Sequence, residues 1–101
     1  LKEEKIISEA NSLKNFIIIC GYGQMGKALA KEFLSIKQSF IVIDYNNDML
    51  VHATEQQILS IKGDATDPDF LSNVGVNKGA SSIIALTNDD AVNLSIILTA
   101  R

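Results

Sequence analysis

Phe16-Ile17-Ile18-Ile19-Cys20-Gly21-Tyr22-Gly23-Gln24-Met25-Gly26 joins a five-residue apolar run to a glycine loop, and a helical pattern follows at once. Strand, G-x-G-x-x-G and helix in that order make a phosphate-binding turn. Gly21 permits the tight turn, Gly23 lets backbone approach a pyrophosphate without a Cβ in the way, and Gly26 lets the helix lie close on its strand. Phosphates would sit on the free N–H groups at the positive end of that helix. A glycine loop alone is a weak signal. Here a second apolar run, Phe40-Ile41-Val42-Ile43, ends in Asp44, 18 residues past Gly26 (44 − 26), where a ribose-binding carboxylate belongs. A glycine turn with an unrelated strand-end acid is the plain alternative, and the two features together favour the nucleotide.

Working outward, the helix after the loop is predicted from Gly23 to about Lys37, with Met25, Leu29, Phe33 and Ile36 on its inward face. Asn46 or Asn47 caps a second helix carrying Met49, Leu50 and Ala53, which runs into Gln56-Gln57 without the usual glycine stop. A third strand, Ile58 to Lys62, leads into Gly63-Asp64-Ala65-Thr66-Asp67. Asp67 then caps a short helix with Pro68 at its first position, Phe70, Leu71 and Val74 on its apolar side and Gly75 just past its end. Ser81 to Thr87 forms a fourth strand, and Asn88-Asp89-Asp90 opens a last helix in which Val92, Leu94, Ile97 and Leu98 need burial. Acids at that N-terminus suit the helix dipole.

Strands alternating with helices imply right-handed crossovers and a parallel sheet. The expected fold is α/β, a Rossmann-like doubly wound sheet of order 3-2-1-4, with its crevice between strands one and four. It would be the N-terminal part of a six-stranded fold. Without two further strands, Ile83, Ile84 and Leu86 lie on an open edge that missing sequence or another chain should cover. The chain begins with Leu1, and residues 1–14 read as a linker cut from a longer polypeptide, leaving one domain over residues 15–101.

Composition narrows the partners. A chain of 101 residues that is 47% hydrophobic can build one modest core but not two. Nine scattered Lys and Arg against 12 Asp and Glu, a net charge of −3, offer no basic surface for nucleic acid. The five-residue apolar run is far short of the roughly 20 residues a membrane helix requires, and no signal-peptide pattern opens the chain. The single Cys20 cannot form an internal disulfide, fits a reducing compartment and reads as a buried strand residue. Asp89 and Asp90 read as a solvated helix start, since one dipeptide lacks the oxygens a calcium ion requires.

The residues from about Asn15 to Arg101 resemble the RCK or KTN (TrkA-N type) regulatory domain of potassium channels and transporters. The resemblance rests on Ile18 to Gly23, on Val42-Ile43-Asp44, on Gly63 to Pro68, and on Ala85 to Asp90 with Asn93-Leu94 behind it. It implies a cytoplasmic module, associated with a membrane-embedded potassium channel or transporter, that senses a nucleotide without catalysis. It further implies that Gly21, Tyr22, Gly23, Gln24, Met25 and Gly26 hold phosphates and that Asp44, with Tyr45 beside it, holds the adenosine ribose. Asp64, Ala65 and Thr66 would line the adenine end, and Thr87 and Asn88 would face the remote half of a dinucleotide. NAD(H) is the expected ligand, with ATP, ADP or AMP as alternatives. Gln24 is neutral where relatives often carry Arg, which argues against tight ATP binding. The 1–14 linker leans toward a domain tethered to a membrane helix, and relatives pair through helices near strand four, so a homodimer or ring is expected.

The competing reading is the coenzyme half of an NAD-dependent oxidoreductase. Such an enzyme needs a proton donor or acceptor beside the nicotinamide. His52 falls in the second helix and Tyr22 inside the glycine loop, so catalytic residues would have to come from elsewhere.

Overall fold

The computed structural model describes residues 15–76 and 79–100; the 1–14 linker lies outside the described residues. Four strands, β1 (Phe16–Cys20), β2 (Phe40–Asp44), β3 (Ser60–Lys62) and β4 (Ala80–Ala85), alternate with four helices. The helices are α1 (Gln24–Ser35), α2 (Asn47–Glu55), α3 (Pro68–Asn73) and α4 (Asp90–Thr99). All pairings are parallel and the order is β3-β2-β1-β4, so the chain forms the Rossmann-like α/β sheet its pattern implies.

β1 is central and reads as an unbroken apolar run because both of its faces are covered. Phe16, Ile18 and Cys20 point into a core with Ile41, Ile43, Leu71 and Ile96, beneath α3 and α4. Ile17 and Ile19 point the other way, to a second core with Val42, Ala30, Leu50 and Ala53 beneath α1 and α2. The β1–β4 register slips between Phe16 and Ile17, where the Ser81 hydroxyl donates to Phe16 O at 3.2 Å.

Several sequence expectations need correction. The inward stripe of α1 is Gly26, Leu29, Ala30 and Phe33, while Met25 and Ile36 are each 67% exposed. The smallest residues mark the closest approach: a Cβ on Gly26 would strike the Gly21 carbonyl oxygen and lie 3.8 Å from Ile19 Cγ2. α1 stops at Ser35 because Lys37 turns left-handed (φ 59°), and Gln57 (φ 61°) supplies the missing glycine stop after α2. Ile58 then donates its N–H to Ala53 O at 2.9 Å, closing the helix, so the β2–β3 pairing begins with Leu59 O, which accepts from Val42 N at 2.9 Å, and the strand itself at Ser60. β4 ends at Ala85 and not Thr87, because the Thr87 peptide is claimed by a side chain described below. On α4, Ile96 is buried and Val92 packs on the core, whereas Leu94, Ile97 and Leu98 stay exposed.

Candidate functional site

Each strand delivers its C-terminal end to one cleft of about 560 Å³. Gly21, Gly23, Asp44, Tyr45, Asp64, Ala65, Thr66, Thr87 and Asn88 all line it, gathered from four loops that are remote in sequence. Tyr22, Gln24, Met25 and Gly26 do not. Tyr22 is 2% exposed and packs in the core beneath α1 and α2, where burial pushes its phenol pKa up. Lys27 Nζ stands 5.9 Å from the centre of its ring. Gln24 and Met25 turn their side chains to solvent, and Gly26 lies under the loop against Gly21.

The loop's main chain is the part with donors to offer. Asn46, Asp67 and Asp89 cap α2, α3 and α4 through their side chains, whereas Gly23 gives α1 no side-chain cap. The Lys27 N–H donates back to Gly23 O at 2.9 Å, so the N–H groups of residues 24–26 fall in the turn that has no intrahelical acceptor. Beside them a Cβ on Gly23 would meet nothing within 4 Å. The geometry suits an anion approached through backbone.

Asp44 sits between two loops. Its Oδ2 accepts from Tyr22 N at 2.7 Å and its Oδ1 from Asn46 N at 2.8 Å, so one carboxylate ties the glycine loop to the start of α2. Asp64 is locally organised: Oδ1 accepts from Thr66 Oγ1 and from Thr66 N at 2.9 Å, bonds that hold its carboxyl below the usual carboxylate range. Gly63 precedes it because a Cβ there would enter the Phe70 ring. Sequence reasoning missed Cys20, Asn46, Met49, Val92 and Ile96, which also line the cleft. The Val92-Ile96 spacing of one helical turn was the available signal.

Cys20 is 1% exposed, and burial, with the Asp44 carboxylate adding to it, pushes its thiol from 9.0 to about 12. The folded thiol therefore keeps its proton where the unfolded one loses it. Stability is full below the unfolded value and falls as pH rises from 9.0 toward 12, by at most about 4 kcal/mol. Urea midpoints across that range should decline more steeply for the parent than for Cys20→Ala; parallel slopes would refute the assignment.

His52 stands on the exposed face of α2 against Glu55 (Nδ1 to Oε2, 3.7 Å) and does not line the cleft. Among the described residues no helix is long and apolar enough to cross a membrane.

Residues 17–101 match the model of the TrkA-N domain family. "Potassium channel protein 1" of Methanocaldococcus jannaschii is 36% identical over 99 residues, covering 96% of this chain and 29% of that protein. "Trk system potassium uptake protein trkA homolog 1" of Methanosarcina mazei is 33% identical over 84 residues, 83% of this chain and 20% of that protein. Among solved structures, the GsuK channel bound to NAD superposes with a TM-score of 0.77 at 30% identity, over 89% of this chain and 16% of that one. The chain thus spans under a third of the length of these relatives. A glycine loop, a strand-end acid and a four-strand cleft, matched along their whole length by this profile, place the chain in the TrkA-N domain family.

Proposed function

We propose that this domain is the nucleotide-sensing part of a potassium channel or potassium transport system, binding NAD(H) on the cytoplasmic side of the membrane without turning it over. What carries the reading is the convergence of an uncapped helix N-terminus behind Gly23 with the Asp44 carboxylate, at the C-terminal ends of four parallel strands. The GsuK relative, solved with NAD, supports the choice of ligand. ATP, ADP and AMP share the adenosine half and are the alternatives, set back by the neutral Gln24.

In this reading phosphates rest on the main chain of Gly21 to Gly26, with the Tyr22, Gln24 and Met25 side chains taking no part. The adenosine ribose meets Asp44 and Tyr45, the adenine lies toward Asp64, Ala65 and Thr66, and the remote half reaches Thr87 and Asn88. Asp44 would bond ribose hydroxyls and repel a 2′-phosphate, and no Arg follows it, so NADH should bind more tightly than NADPH. Equal titration curves for the two would sink that claim. Gly23→Val should abolish NADH binding yet shift stability by no more than about 0.5 kcal/mol, since Gly23 has an ordinary φ of −79° and open space beside it. Calorimetric titration and thermal melting on the same variant separate the two effects.

Assembly is part of the proposal. Leu94, Ile97 and Leu98 face outward from α4 beside β4, an edge strand among the described residues, and each buried Leu or Ile contributes roughly 1.5–3 kcal/mol relative to exposure. A second copy of the domain is the proposed cover, in a homodimer or ring attached to the membrane-embedded transport protein. Ile97→Glu with Leu98→Glu should then release monomers or make the domain insoluble, and a sedimentation run showing the unmutated domain, with its complete sheet restored, as a stable monomer at tens of micromolar would count against it.

A further inference from the structure

Beyond Leu86, whose N–H donates to Cys20 O at 2.7 Å, the β4 main chain stops pairing with β1. The next peptide groups go to one side chain on α4. Asn93 Oδ1 accepts from Thr87 N at 2.9 Å, and Asn93 Nδ2 donates to Thr87 O at 3.1 Å. Because a backbone N–H can only donate and a carbonyl only accept, this pair fixes which end of the amide is oxygen. The same Oδ1 lies 2.6 Å from Thr87 Oγ1. An amide oxygen cannot donate, so the threonine hydroxyl is the donor in this contact, the shorter of the two open to its one proton. Asp89 O at 3.1 Å is the longer competitor for that proton, and Asp89 N approaches the hydroxyl as a donor at 3.3 Å. With its proton on Asn93 and Asp89 N as a donor to it, the hydroxyl of Thr87, a residue of the cleft wall, has one lone pair left to offer and no proton.

The opposite side of this loop is held as firmly. Gly21 lies so close beneath the Leu86–Thr87 peptide that a Cβ on it would come within 2.7 Å of Leu86 O and 2.9 Å of Thr87 N. The peptide is thus gripped between the glycine loop and Asn93, and of these two the Asn93 grip also takes a hydroxyl proton.

We propose that Asn93, which does not line the cleft, is a positioning residue that presents Thr87 as an acceptor and so selects ligands whose remote half brings a hydrogen-bond donor there, such as a carboxamide N–H₂ or a ribose O–H. This rests on the reading that a nucleotide occupies the cleft. Thr87 follows β4 and Asp44 ends β2, two strand spacings or roughly 10 Å apart, so a ligand anchored at Asp44 reaches Thr87 only if it extends beyond its adenosine half.

The test is a set of titrations with ADP and NADH on the parent, Asn93→Ala, Thr87→Val and the double variant, each with a denaturation curve. Asn93→Ala removes the short acceptor that fixes the hydroxyl proton, leaving the longer contact to Asp89 O, and should weaken NADH roughly tenfold while leaving ADP within about twofold. Thr87→Val keeps the backbone clamp, removes the hydroxyl together with its bonds to Asn93 Oδ1 and Asp89, and should give a similar split. The double variant should be no worse than the weaker single, because both act through one oxygen. Equal losses for ADP and NADH in Asn93→Ala would mark a merely structural role, and multiplied losses in the double variant would mark two independent contacts; either overturns the inference. A parent that binds neither nucleotide would overturn the nucleotide reading itself, and this inference with it.

Discussion

Gly21→Val is expected to lower unfolding stability by about 3–5 kcal/mol and to abolish nucleotide binding as well. Gly21 has φ +108°, a region where a side chain costs roughly 1–3 kcal/mol. Its added Cβ would also come within 2.7 Å of Leu86 O and 2.8 Å of Leu86 C, and overpacking of that kind costs typically 1–3 kcal/mol. The clash is with main chain that is itself paired to Cys20 and Asn93, so no rotamer change relieves it. Against a total of roughly 5–15 kcal/mol for an ordinary domain, the loss is large. Gly21→Ala should suffer nearly as much, since the offending atom is Cβ. An unchanged urea midpoint in either variant would show that the loop is not packed as described.

The second large effect belongs to Asp44. Replacing it with Ala should weaken NADH by roughly ten- to a hundredfold through the lost charge-assisted bond to ribose. It should also cost about 1–2 kcal/mol of stability, because the Tyr22 N–H at 2.7 Å and the Asn46 N–H at 2.8 Å lose their acceptor. Asp44→Asn should not rescue either property. Both carboxylate oxygens accept from backbone N–H groups, so whichever way the amide turns, its NH₂ faces another donor. Titration and denaturation of the two variants side by side decide the matter, and an Asn variant that behaves like the parent would contradict the two-loop tie.

Much of this was legible in the chain because unambiguous residues wrote it. Asp67-Pro68 and Gly75 bound α3 nearly to the residue, the last with φ 114° as a helix stop. The β1 and β2 runs, covered on both faces, were continuous and could only be central strands. What escaped were contacts made by small or polar groups. Periodicity weighs large side chains, so it picked Met25 and Ile36 for α1 and overlooked Ala30, whereas the role of Gly26 in letting the helix sit close was legible from the glycine loop itself. A left-handed Lys37 or Gln57 has no signature comparable to glycine. Asn93, six residues from its partner Thr87, entered the sequence reading only as part of the resemblance, and its grip on Thr87 follows from the turn that brings α4 back over β4. The sequence also could not separate a residue's side chain from its peptide: the Tyr22 ring is buried in the core, while its N–H donates to Asp44.

α4 has two sides with different audiences: Val92 and Ile96 line the cleft, while Leu94, Ile97 and Leu98 look away from it. A ten-residue helix moves as one piece. Any neighbour that docks on the outward side and settles α4 in one position changes the free energy of filling the cleft, and reciprocity requires that filling the cleft change the neighbour's hold by the same factor. An affinity measured for such a domain then belongs to the domain together with its neighbour at a given concentration, and the isolated chain reports only one corner of that thermodynamic square.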